Sequence, residues 1–256
     1  MREVNLMEPV VALSLYKLLD KKTGLIKYDS RDQLCADFKV SPTSRIVLSG
    51  THTDPSLERV WGIEDRMQFF RSLADLDIAL VTTPNFSLFC DNPRVDDLHS
   101  IKRIGIVQSE LLRAGVQSAL HVNGRTEKDY SRWAEFLEAR PEIEWICFEF
   151  GTGAGRPNRI EYHSRQLAAV ASFVTRPLNL IVRGGMSALT GLRNSFQQLS
   201  FIDTTAFVKT HNRQLGLYSD RRIAWEKIET EKGQPLDSQL SHNIQAMKSY
   251  VEDLLH

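Results

Sequence analysis

Six short apolar runs, rich in β-branched residues, punctuate the chain from residue 45 onward: 45–49, 77–82, 116–121, 144–149, 178–183 and 205–209. Most are nearly continuous and do not alternate, the pattern of strands covered on both faces. The stretches between them have helical spacing. Over 125–140, Trp133, Phe136 and Leu137 share one face, and Thr126 with Asp129 forms a capping pattern at the start. Over 162–174, Leu167, Val170, Ala171 and Val174 make one stripe, and Pro177 separates that helix from the next strand. The ends are less regular. Residues 9–19 have the apolar spacing of a helix, and 20–44 read as a polar connection with one short element. A charged stretch at 221–228 is broken by Gly233-Gln234-Pro235, and 238–255 reads as a closing helix.

Strand starts recur at about 26 to 39 residues, the length of one strand, one helix and two loops. Consecutive βα units imply an α/β fold with a parallel sheet and right-handed crossovers. Two architectures fit: a TIM-barrel-like or incomplete barrel, and an open doubly wound sheet. The clear units are fewer than the eight of a full barrel. The expected organisation is an N-terminal helix and connection (1–45), a βα barrel-like core (46–218) and a C-terminal helical segment packed on it (219–256).

The strand ends favour the barrel. The third run ends at His121, followed by Val122-Asn123-Gly124. The fourth ends in Glu149, the fifth in Arg183-Gly184-Gly185, and the sixth in Lys209-Thr210-His211. In parallel βα sheets, function gathers at the carboxyl ends of the strands. Around one barrel mouth these side chains would share a polar pocket. Glu149 would be a general base or carboxylate ligand and His121 a general acid or base. Arg183 and Lys209 would hold an anion, and burial beside Arg183 would make Lys209 a nucleophilic amine. Asn123, Asn85 and His211 add substrate-binding groups. The competing reading is a set of interstrand ion pairs at the rim.

Two glycine-rich turns extend the anion idea. Gly151-Thr152-Gly153-Ala154-Gly155 precedes Arg156 and Arg159, and Gly184-Gly185-Met186-Ser187 opens a helix. Backbone N–H groups at such a start can cradle a phosphate, although tight turns also need these glycines. Neither string is a P-loop. Asp91 follows the second βα strand and is a candidate base. The alternative is that Phe86, Leu88 and Phe89 plug the mouth while Asp91 caps the next segment. Thr51-His52-Thr53-Asp54 follows the first run, and Asp54 also reads as a helix start.

Composition narrows the partners. The chain has 256 residues, with 32 Lys plus Arg against 32 Asp plus Glu, so its formal net charge is zero. That argues against a broad basic surface for nucleic acid and leaves room for a focused anion site. A run of about 18 apolar residues, as a membrane span requires, is missing, and so is the apolar core of a signal peptide. The three cysteines, Cys35, Cys90 and Cys147, form no disulfide framework or zinc motif. Cys147 reads as core filling and the expected compartment is a reducing cytoplasm. No His-x-x-x-His pair is written, so no metal site is expected locally; any cofactor and the oligomeric state are left open.

The most distinctive text is Glu58-Arg59-Val60-Trp61 and Thr83-Pro84-Asn85-Phe86-Ser87-Leu88-Phe89-Cys90-Asp91-Asn92-Pro93. It resembles a family of phage and mobile-element proteins, the domain of unknown function 4417. Members read Glu-Arg-Val-Trp and then Thr-Pro-Asp-Phe-Ser-Leu-Tyr, so Asn85 and Phe89 depart from the pattern. The resemblance implies a shared fold and a mobile-element context, and supplies no activity. The resulting expectation is an enzyme acting on a nucleotide-like or phosphorylated small molecule, or on a nucleobase. The alternative is a non-catalytic protein using the same scaffold for a protein or nucleic-acid partner.

Overall fold

The computed structural model describes residues 3–20, 22–89, 91–151, 154, 157–231 and 233–255, without the side chains of 157 and 158. Among them, seven strands form one parallel sheet in strict chain order: β1 (Val10–Ser14), β2 (Arg45–Ser49), β3 (Leu80–Thr82), β4 (Ser118–His121), β5 (Trp145–Glu149), β6 (Asn179–Arg183) and β7 (Gln198–Ile202). The crossovers carry α1 (Leu15–Leu18) with α2 (Arg31–Phe38), α3 (Asp54–Trp61) with α4 (Arg66–Asp75), α5 (Arg94–Arg113), α6 (Glu127–Glu138), α7 (Pro157–Phe173), and α8 (Leu189–Leu192) after a 3₁₀ turn. After β7 come α9 (Thr205–His211), an antiparallel hairpin of β8 (Gln214–Ser219) and β9 (Arg222–Lys227), and α10 (Asp237–Leu255).

Strand order decides between the two architectures. A doubly wound sheet must reverse its order somewhere, so that helices cover both faces. Here every right-handed crossover steps the same way, which puts the helices on one face and leaves the other to be buried by curling. The sheet is therefore an incomplete TIM-barrel-like barrel, and the open doubly wound alternative does not hold. Burial follows from this. Ile46, Leu48, Val81, Leu120, Ile146, Phe148, Leu180 and Val182 face the helices in one large core. Leu80, Ala119, Cys147 and Ile181, with Val47, Trp145 and Ile202, fill the inside as a second, smaller cluster. Two buried faces explain why the runs are continuous.

β1 and β7 are the edges of the sheet. α10 ties the two sides together. Near its C-terminus Leu254 and Leu255 carbonyls accept from Thr190 and Arg193 of the α8 region. At its start, Asp237 accepts the Glu3 and Val4 N–H groups, and farther along Lys248 pairs with Glu8 ahead of β1.

Two elements differ from expectation. Residues 9–19 are not a helix outside the core: Val10–Ser14 are the first strand, in register with Arg45–Ser49, and only Leu15–Leu18 are helical. Pairing with β2 satisfies the backbone and overrides the spacing of Val11, Leu15 and Leu18. Residues 205–209 are not a strand. Asp203 accepts the Thr205 and Ala206 N–H groups and starts α9, in which Ala206 and Thr210, four apart, are the buried residues. The strand is the preceding Gln198–Ile202, whose polar residues disguise it. The charged stretch at 221–228 forms β9.

Candidate active site

The last inward-facing residues of β1 to β3 are small hydroxyls: Ser14, Ser49 and Thr82. They share the register of the lumen residues Val47, Leu80 and Ala119. From β4 to β6 the corresponding ends are ionisable. His121 is in register with Cys147, and Glu149 with Arg183. Ser49, Thr51, Thr82, His121, Cys147 and Arg183 line one small void beneath the mouth, with Ile202 on the β7 side. Its free volume is about 10 Å³, room for about one water.

Glu149 and Arg183 are adjacent because β5 and β6 end together. Arg183 Nη1 donates to Glu149 Oε2 at 2.6 Å, while the Gly151 N–H donates to Oε1 at 2.5 Å. The glycine is required: a Cβ at residue 151 would stand 2.2 Å from Oε1. The carboxylate is 3% exposed and the Arg183 side chain 35%, so the pair is buried on its acidic side and open on its basic side. The rim ion pair foreseen as the competing reading is thus present, and it consumes only one of the guanidinium nitrogens.

The His121 imidazole stacks on Phe148, with ring centroids 6.1 Å apart. Among the described residues no hydrogen bond reaches it. Burial pushes its pKa down to about 3. It is neutral at physiological pH, able to accept or donate a neutral hydrogen bond, and does not arrive as imidazolium. Its backbone N–H donates to Thr83 Oγ1. Cys147 is fully lumenal, and burial raises its thiol well above the usual range, leaving it unreactive. His52 lies nearer solvent against Tyr16, and its pKa is lowered by burial and then by Lys17, Arg183 and Arg59.

The other expected residues divide in two. Asn85 and Asn123 sit at the mouth as loop staples: Asn85 Oδ1 accepts the His52 N–H, and Asn123 Nδ2 donates to the Phe86 carbonyl. Gly184 and Gly185 follow Arg183 with φ of +67° and +59°, and a Cβ on either would collide with residues 150–151 at 2.6 and 2.3 Å. Loop crossing accounts for both glycines. Lys209 and His211 do not join the mouth at a strand end, since they lie on α9. The Lys209 ammonium stands over the Trp225 ring at 5.3 Å, and His211 is exposed. Asp91 is exposed in the turn before α5. Phe86 does not plug the barrel. It packs in the outer core edge-on to Trp61 beneath the Arg103 guanidinium, and Phe89 is exposed. Of the turn after β5, residues 152, 153, 155 and 156 lie outside the described residues. Arg159, the other cation noted there, donates toward His163 Nε2. Among the described residues no three of His, Cys, Asp and Glu converge as around a metal ion.

The hydroxyl half of the mouth was missed from the sequence. The signal was available: Ser49 and Thr82 are the single polar residues that terminate otherwise apolar runs. The Glu58–Trp61 string and residues 83–89 form one folded unit beside the site. Glu58 pairs with Arg103, whose guanidinium lies 4.6 Å from the Trp61 ring and 3.9 Å from Phe86, and Phe89 N–H donates to buried Asp97.

No family model and no curated protein matches the chain. Among solved structures, a candidate sugar phosphate isomerase/epimerase from Anabaena variabilis is 12% identical, with 88% of this chain and 80% of that one covered and a TM-score of 0.42. The fold assignment stands on the strand order above.

Proposed function

We propose that the mouth of the barrel is the binding site of an enzyme acting on a small anionic substrate, of the sugar-phosphate or nucleotide-like class. The observation that carries this reading is Arg183. Its Nη1 is fixed by Glu149, and its remaining edge is partly exposed at the point where six strand ends converge. A guanidinium clamped on one side is a preorganised anion donor, because its orientation is set before the ligand arrives. The void below is too small for a ligand, so the anion would sit above it, on the outer edge of Arg183. Glu149 and neutral His121 would then flank the group next to the anion. Glu149 would serve as the base, and neutral His121 would donate a hydrogen bond to a hydroxyl or carbonyl oxygen.

The Asn85 departure from the family string does not touch this assignment, because Asn85 acts on the backbone of His52. We read the two strings as kinship with the mobile-element family, on the resemblance already described. Among the described residues no helix is long and apolar enough to cross a membrane.

A thermal-shift screen against sugar phosphates, nucleotides and inorganic phosphate tests the proposal. The wild-type chain should be stabilised by at least one phosphorylated compound. Arg183→Ala should remove that shift, and Glu149→Gln, whose NH2 must face either the Arg183 or the Gly151 donor, should reduce it. Stabilisation that persists unchanged in Arg183→Ala, or no stabilisation by any of them, refutes the site.

A further inference from the structure

A groove of about 490 Å³ lies on the helical layer between α5 and α6, remote from the strand ends. α6 packs closely on α7 and more loosely on α5, toward which Phe136 reaches at Gly105. Ile101, Ile106, Trp133 and Phe136 floor the gap. Its charges are mostly positive. Lys102 and Arg113 are exposed, and no hydrogen bond or ion pair reaches either among the described residues. Arg132, 42% exposed, makes only a 3.4 Å contact with Asp129, a carboxylate already held by Arg94. The single acid of the lining, Glu110, is neutralised by two bonds from Arg66 at 2.7 and 2.8 Å. A chain with no net charge has thus concentrated three cations around an apolar trough.

The shape selects the occupant. Lys102 and Arg113 are eleven residues apart on α5, about 16 Å along the axis. A small acid carries too little length to meet both. An amphipathic helix of three turns spans them, with its apolar stripe in the trough and acidic residues on its flanks. We propose that the α5–α6 groove docks an acidic amphipathic helix of a partner protein. The site is separate from the barrel mouth and does not depend on the enzymatic reading.

The test uses a fluorescein-labelled sixteen-residue helical peptide with leucines at i, i+3, i+4 and i+7 and glutamates on both flanks. The control carries lysines in place of the glutamates. Fluorescence anisotropy with the full-length chain should show the glutamate peptide binding at least tenfold more tightly, with affinity falling as salt rises. Two variants locate it. Gly105→Leu fills the trough, since a Cβ there already lies 3.8 Å from the Phe136 ring, and it favours the helix. Lys102→Glu with Arg113→Glu reverses the rim. Each should weaken binding at least tenfold with the melting temperature maintained. Equal binding of the lysine peptide, unaltered binding by Gly105→Leu, or no binding of either peptide overturns the proposal. So does a wild-type dimer in sedimentation that Gly105→Leu dissociates, because the occupant is then a second copy.

Discussion

Two buried imidazoles carry much of the chain's pH response. His163 is 3% exposed. Arg159 donates toward its Nε2, which leaves Nδ1–H to donate to the Tyr130 oxygen 2.6 Å away, and Tyr130 O–H to the Gly124 carbonyl at 3.4 Å. That chain of donors fixes the neutral Nδ1–H tautomer. Burial, then Arg159, pushes the His163 pKa down to about 4, and burial pushes that of His121 down to about 3. Unfolded, both would titrate near 6.5. As pH falls through 6.5 the unfolded chain takes up two protons that the folded chain refuses, so stability is lost on acidification. The slope approaches about 2.7 kcal/mol per pH unit, two protons' worth, before the folded histidines titrate. Urea unfolding should therefore give a free energy that is level from pH 8 to 7 and falls from 6.5 to 5. His121→Asn should remove about half of that slope; a level profile down to pH 5 contradicts the assignment. At this scale the sequence singled out Glu149, His121 and Arg183 as candidates, because an ionisable residue ending an apolar run is conspicuous. It could not show that Arg183 bonds Glu149 or that His121 is dry, since both depend on which strands end side by side.

The elements repeat this division. The cap of α6 was legible as Thr126 and Asp129, and the structure contains it as a reciprocal capping box. Asp129 does more than cap. It is fully buried and accepts the Arg125 and Thr126 N–H groups at 3.0 Å as well as the Arg94 guanidinium. Burial would raise its pKa, but the Thr126 N–H, Arg94 and the Arg125 N–H outweigh it and hold the carboxyl below its usual range. Asp129→Ala leaves those donors unanswered and should cost about 3 kcal/mol, as for other buried pairs broken on one side. A denaturant melt reads this, and a loss below about 1 kcal/mol would mean that water replaces the carboxylate. β1, β7 and α9 were misread for a common reason. At the two edges of the sheet the burial pattern is set by neighbours distant in sequence, so spacing along the chain is a poor guide.

For the whole molecule, rhythm was informative and closure was not. Regular βα spacing predicts parallel strands, and strict chain order makes them curl. That α10 would bind the open side together was not written in its amphipathic pattern. Asn243 shows how it is done: fully buried on α10, it accepts the Gly216 N–H at 2.8 Å and donates to Thr210 Oγ1 and the Gln214 carbonyl at 2.8 and 2.9 Å. Asn243→Ala removes three hydrogen bonds at the junction of α9, β8 and α10; Thr210 keeps its bond to the Ala206 carbonyl and the Gln214 carbonyl its bond from Gln239, so the loss falls on the Gly216 N–H and should cost about 2 kcal/mol. Hydrogen exchange should show the loss first in β8–β9 and α10, with β3 to β6 still protected; uniform deprotection would refute the strap.

The central claim is that Arg183, clamped by Glu149, presents an anion site at the mouth. Calorimetric titration of the wild-type chain and Arg183→Gln with the phosphorylated compound that most raises the melting temperature tests it directly. The account predicts saturable one-site binding whose dissociation constant rises at least tenfold in Arg183→Gln, with the fold intact by circular dichroism. Equal affinity in the two proteins would contradict it.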